Sequence, residues 1–121
     1  MDLRRKAMDL LETAKESFEK GRFWLTCLSA HQAVELYLKG VLFELAGTYP
    51  FTHDLRLLLE SLAGDMKVPE EVIDAADYLN PHYTASRYSL SMEYRKSSAE
   101  RCLEYAEGIV KWVRENIERQ P

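Results

Sequence analysis

The sequence predicts an all-α fold, an up-and-down bundle of four to five helices, on three observations. Apolar residues recur at helical spacing through several segments. Four Pro and five Gly in 121 residues leave little material for the turns of a sandwich. Leu, Ala and Glu dominate, and these are good helix formers. With 46% apolar residues the chain can bury a substantial core, and its length suits a single domain over residues 1–121.

Leu3, Ala7, Leu10, Leu11, Ala14 and Phe18 form the stripe of a first amphipathic helix, which Gly21 closes. A second helix is predicted over residues 22–46, ended by Gly47-Thr-Tyr-Pro50, because Gly suits the C-terminal cap and Pro cannot continue the ladder. Its apolar residues, among them Phe23, Leu25, Leu28, Val34, Leu38, Leu42 and Leu45, cover most of the circumference, so it is expected to be central and mostly buried. Thr52 is the expected N-cap of a short third helix carrying Leu55, Leu58, Leu59 and Leu62, with Asp54 in its first turn and Gly64-Asp65 as its stop. Pro69 with Glu70 and Glu71 starts a fourth helix, whose inward face is Val72, Ile73, Ala76 and Leu79. Asn80-Pro81 interrupts it. Residues 82–89 are polar and aromatic with weak periodicity, which predicts a short helical turn or an ordered loop lining something. A last long helix is predicted over residues 92–118 from Ala99, Cys102, Leu103, Ala106, Ile109, Val110, Val113 and Ile117.

The formal charge of −4 argues against a general nucleic-acid coat, although a local basic cleft stays open. Cys27 and Cys102 lie within apolar helical patterns without metal-ligand spacing, and are expected to be buried thiols of a cytoplasmic protein. No apolar run reaches the roughly 20 residues of a membrane span, and the N-terminus lacks a signal-peptide core, so neither membrane nor secretion is expected. No metal or cofactor is expected either. His31 and Glu35 have the spacing of a helical ligand pair, but no third ligand accompanies them, and there is no Gly-rich phosphate loop.

Function is sought where polar residues break the apolar pattern. His31, Glu35 and Lys39 follow one another at four-residue steps on the central helix, with Gln32 beside them. A buried amide or charge without a partner costs a few kcal/mol, so this stripe must meet a neighbouring helix, water or another chain. Two further groups are available: His53 with Asp54, and the connector residues His82, Tyr83, Arg87 and Tyr88. The connector is the expected supplier, with Arg87 placed to pair bidentately with Glu35. Each residue also has a plainer role. His31 suits a hydrogen-bonded core, Glu35 and Lys39 a surface ion pair, His53-Asp54 a helix cap, and the tyrosines packing with a wet tip.

The segment Ser29-Ala-His-Gln-Ala-Val-Glu-Leu-Tyr-Leu-Lys39, then Thr52-His-Asp-Leu55, then Tyr83 with Ser86-Arg-Tyr88, resembles the HEPN (higher eukaryotes and prokaryotes nucleotide-binding) domain family, here a stand-alone type. The resemblance spans nearly the whole chain and implies a helical bundle that dimerises with a cleft at the dimer interface. It also implies a partner, since many stand-alone members are encoded beside a minimal nucleotidyltransferase in a two-component, toxin-antitoxin type pair. Ribonuclease members carry an Arg followed four to six residues later by a His. Here Arg87 is followed by Tyr88, Ser89, Leu90, Ser91, Met92, Glu93 and Tyr94, and His occurs only at 31, 53 and 82.

Three functions follow as expectations. The favoured one is a non-catalytic homodimer whose groove of His31, Gln32, Glu35, Lys39, His53, Asp54, Tyr83, Arg87 and Tyr88 receives a nucleotide, RNA or a nucleotidyltransferase. The second is a metal-independent endoribonuclease with Arg87 on the phosphate and His31, His82 or His53 carrying the proton. The third is a structural scaffold.

Overall fold

The computed structural model describes residues 2–88 and 93–118. Among these residues there is no strand. Helix α1 spans Leu3–Glu19, α2 Phe23–Ala46, α3 Leu55–Ala63, α4 Glu70–Leu79, α5 His82–Tyr88 and α6 Lys96–Val113, and a π-helical turn, Arg114–Glu118, extends α6. The sequence expectation of an all-α bundle thus holds, with α5 as the short helical turn foreseen in the connector. Ser89 and Met92, at the predicted boundaries of the connector and the last helix, lie outside the described residues.

Helix α2 is the spine because a helix apolar on nearly every side is stable only when neighbours surround it. Helices α1, α3, α5 and α6 all pack against it. Val34, Leu38 and Val41 of α2 meet Ala7, Leu11 and Ala14 of α1, Leu55, Leu58 and Leu59 of α3, and Ile109 and Val113 of α6 in one continuous core. Cys27 and Cys102 are free and buried in it. Gly47 ends α2 in the left-handed conformation (φ 76°), its N–H donating to the Phe43 carbonyl, as a C-terminal Gly does most easily.

Two sequence expectations need correction. Leu45 does not turn inward: it is 66% exposed, and residues 43–48 around it are exposed as well. Nor is Thr52 the cap of α3. Asp54 takes that position, its carboxylate accepting from the N–H groups of Arg56 (3.0 Å) and Leu57 (3.4 Å), while the Thr52 hydroxyl accepts from Asp54 N–H. A carboxylate suits the positive end of the helix dipole better than a hydroxyl.

The first turn of α1 and the π-helical turn after α6 are clasped together. Arg4 reaches Glu118 at 2.6 Å and Glu44 at 3.1 Å, and the buried Tyr37 hydroxyl donates to the same Glu118 carboxylate. Close approach of α1 to α2 at this end requires Gly40, where a Cβ would stand 2.8 Å from Arg4 Cγ and 3.1 Å from the Arg4 backbone nitrogen. Gly40→Leu should therefore force the helices apart and lower stability by about 1–3 kcal/mol. Urea unfolding measures it, and an unchanged midpoint would show that the contact is not tight.

Candidate binding cleft

Glu35 points from the middle of α2 and is 7% exposed, so its charge must be met within the fold. Lys39, one turn on, donates to Oε2 at 2.9 Å. His53, from the loop before α3, donates through Nδ1 to Oε1 at 2.9 Å. On the far side of the ring, His53 Nε2 lies 3.0 Å from the Tyr83 hydroxyl, and the two rings stack with centroids 4.0 Å apart. The Lys39 ammonium also lies 5.4 Å from the centre of the Tyr49 ring. The carboxylate is thus the hub of a chain that runs from Lys39 through His53 to Tyr83.

His31 sits behind this hub, fully buried. Its Nε2–H donates to the His53 carbonyl at 3.1 Å, which leaves Nδ1 with a lone pair facing Glu35 Oε1 at 3.9 Å. Among the described residues Nδ1 has no hydrogen-bond partner. Burial holds the imidazole down to about 4 even though Glu35 pulls the other way, so His31 is neutral near pH 7.

The loop that carries His53 is held at both edges. Asp54 caps α3, and Asn80, at the end of α4, donates to the Asp54 carboxylate at 2.9 Å and accepts from Leu55 N–H at 2.9 Å. Asn80-Pro81 reads in the sequence as a helix stop. Its amide is also a clamp, a role signalled only by Asn being able to donate and accept at once.

A cleft of about 240 Å³ opens over the hub, lined by Leu10, Gln32, Glu35, Leu36, His53 and Tyr83. Its floor is anionic and buried. Its rim is the Gln32 amide, the His53 ring (54% exposed) and Tyr83. The cleft can offer an amide for hydrogen bonding, an imidazole and an aromatic face for stacking. Leu10 and Leu36 line it without having been singled out in the sequence, where they read as ordinary stripe residues.

Other predicted residues lie elsewhere. Arg87 does not pair with Glu35: its guanidinium donates to the Tyr83 carbonyl at 3.1 and 2.8 Å and stacks 4.8 Å from the Tyr83 ring and 5.0 Å from the exposed Tyr88 ring. A carbonyl one turn back and two flanking rings satisfy it locally, and it borders a separate shallow pocket with Trp24, Leu28 and Ser86. His82 is buried with Nδ1 2.7 Å from the Tyr94 hydroxyl, and burial lowers its pKa. Among the described residues no cluster of His, Cys, Asp and Glu is suited to a metal ion. None of the helices is long and apolar enough to cross a membrane.

The family model of the HEPN domain matches residues 1–116. The chain belongs to the HEPN family. Three solved structures are similar to this HEPN chain. TT1696 from Thermus thermophilus is 30% identical, with 95% of this chain and 98% of that one covered at a TM-score of 0.83. The HEPN domain protein tm0613 from Thermotoga maritima is 29% identical, with 99% and 100% covered at 0.79. ST0689, described as an archaeal HEPN homologue, is 27% identical, with 96% and 95% covered at 0.77. No curated protein matches.

Two measurements test this HEPN cleft. Removing one partner from a buried ion pair strands the other charge, so Glu35→Leu should cost about 3–5 kcal/mol, whereas Glu35→Leu with Lys39→Met should cost far less than the two single changes summed. Additive losses would show that the pair is not coupled. For His31, the folded value near 4 lies below the ordinary 6.5, so between them the unfolded chain binds the proton and the folded chain does not. Stability should then fall as pH drops from about 6.5 towards 4, by roughly 3 kcal/mol for this one group. His31→Gln should lack that part of the slope in pH-dependent unfolding, and parallel curves for the two proteins would contradict the assignment.

Proposed function

We propose that this chain is a non-catalytic binding and assembly module of the cytoplasm, a homodimer whose Glu35 cleft receives a nucleotide or the face of a partner minimal nucleotidyltransferase in a two-component, toxin-antitoxin type pair. The observation that carries the reading is the division of labour among the three histidines. Metal-independent RNA cleavage needs one group to take the 2′-hydroxyl proton and another to protonate the leaving oxygen. His31 and His82 are buried, and His53 alone of the three reaches the surface. The Arg-His pair of ribonuclease members is missing after Arg87. What remains outward is recognition chemistry: the Gln32 amide, the His53–Tyr83 stack and the buried carboxylate beneath them. Aromatic faces hold a base by stacking, and a preformed polar cleft fits either a base edge or a partner side chain.

One observation favours a second reading, an endoribonuclease of unusual constellation. His53 and Arg87 both lie against Tyr83, with the His53 ring 4.0 Å and the guanidinium 4.8 Å from its centre, so a proton carrier and a phosphate-binding cation flank one ring.

The experiment is a thermal-shift series with adenosine and guanosine nucleotides beside size-exclusion of the protein mixed with a minimal nucleotidyltransferase. Saturating nucleotide, at 100 times Kd, should stabilise the fold by about 2.7 kcal/mol, a shift of several degrees in Tm. Tyr83→Ala should abolish the shift or the complex with helicity retained. Neither a shift nor a complex would overturn the proposal, and cleavage of RNA lost in both His53→Ala and Arg87→Ala would establish the second reading instead.

A further inference from the structure

We propose that the groove between α4 and α6 docks an amphipathic helix of another protein, about three turns long, with lysine or arginine along its edges. The inference goes beyond the reading above and does not depend on what the Glu35 cleft receives.

The groove has a volume of about 350 Å³, a floor of Val72, Ala75 and Ile109, and walls of Tyr105 and Trp112. Both aromatic residues are only half-buried by their own chain, so each ring still presents apolar surface outward. Glu104 and Glu115 stand at its two ends, about three helical turns or roughly 16 Å apart. A helix is the conformation that fits such a floor. Apolar side chains offer nothing to backbone N–H and C=O groups, and among the described residues there is no strand whose edge could pair with an extended segment. A helix satisfies its own backbone and lays down one apolar stripe.

Gly108, on the α6 bank of the groove, is the second observation. It stands within α6, where Gly weakens a helix relative to Ala. Gly40 is required by the approach of Arg4, but a Cβ at Gly108 would meet nothing within 4 Å. The fold of one chain gives no reason for that glycine. A foreign backbone passing over the bank does, since a missing side chain lets two helices approach to the short end of the usual separation of roughly 8–10 Å.

Charge selects the partner. Glu71, Glu104 and Glu115 rim the groove against Lys111, and among the described residues none of the three carboxylates forms an ion pair. Helix α4 adds Glu70 and Asp74, both exposed, and contains no Lys or Arg. The groove on the other flank of α6, shared with α1, has the opposite sign, with Lys15, Lys111 and Arg114 against Glu107. A helix with cationic edges is therefore drawn to the α4 side and repelled from the α1 side. The same rim refuses α4 of a second copy, acid against acid. No residue lines both this groove and the Glu35 cleft, so docking here does not compete with what the cleft holds.

Selection from a displayed library tests this. Helices of about three turns, with a fixed leucine stripe and flanks varied among Lys, Glu and Gln, are panned on the full chain. Lys-flanked helices should be enriched. A synthetic peptide of the enriched sequence should bind in fluorescence anisotropy, and Gly108→Leu should weaken it about tenfold with Tm unchanged or raised, which separates docking from folding. Glu71→Lys and Glu104→Lys should each weaken it roughly threefold at low salt, and the Glu-flanked version should prefer the double variant to the wild type. No enrichment, enrichment of Glu flanks, or binding indifferent to Gly108→Leu would overturn the proposal. In sedimentation velocity the homodimer should also be indifferent to Gly108→Leu; a dimer that this change dissociates would put a second copy in the groove and overturn it too.

Discussion

The constraint on which the candidate site depends is the burial of one carboxylate. Glu35 is set into an otherwise apolar helix, and a carboxylate there is tolerated only with a nearby cation and donors on both oxygens. Lys39 supplies the charge from the same helix, but it satisfies one oxygen. The other needs a donor from outside α2, and that requirement brings the loop before α3 back across the helix so that His53 can reach it. The same logic sets the state of His31. Desolvation outweighs the pull of the Glu35 carboxylate and keeps the buried imidazole neutral.

The two sides of α2 do different work. On one side Tyr37 meets the Arg4–Glu118 pair, which binds the first turn of α1 to the end of the last helix. On the other side the Glu35 network holds a loop and a short helix, elements with far less apolar contact than α1 or α6. Loops held by a few polar contacts are where a fold can present recognition groups without risk to its core. The cleft therefore has walls and floor from α1 and α2, and a rim completed by His53 of the loop and Tyr83 of α5.

Helix positions were legible in the sequence because each element carries its own stripe and its own stop, from Gly47 to Asn80-Pro81. The four-residue steps of His31, Glu35 and Lys39 likewise marked the polar side of α2. The partner was not legible. Periodicity places a residue on a face of its helix, whereas which loop residue crosses to meet it depends on the path of a non-periodic segment. Arg87 was the natural candidate by charge, yet its own backbone offers a carbonyl one turn back and two tyrosine rings, so it has no need to travel to Glu35. His53 looked like part of a cap. Asp54 does the capping, and that frees the neighbouring imidazole to turn inward.

Membership of a family says little about the chemistry at the rim. Core side chains answer to packing density, and a change of one methylene among them is felt across the bundle. Arg87, Tyr88 and Trp24 are exposed and can be exchanged at small cost to stability, as most surface positions can. A HEPN chain can therefore keep its architecture while the residues that would cut RNA are present or missing. Function in such a chain lies near the groups that the fold makes expensive to bury, because an expensive group persists only where something meets it. Glu35 is one of them, a carboxylate 7% exposed. The atoms that meet it from outside its own helix, His53 and behind it Tyr83, are also the ones that face the open side of the cleft.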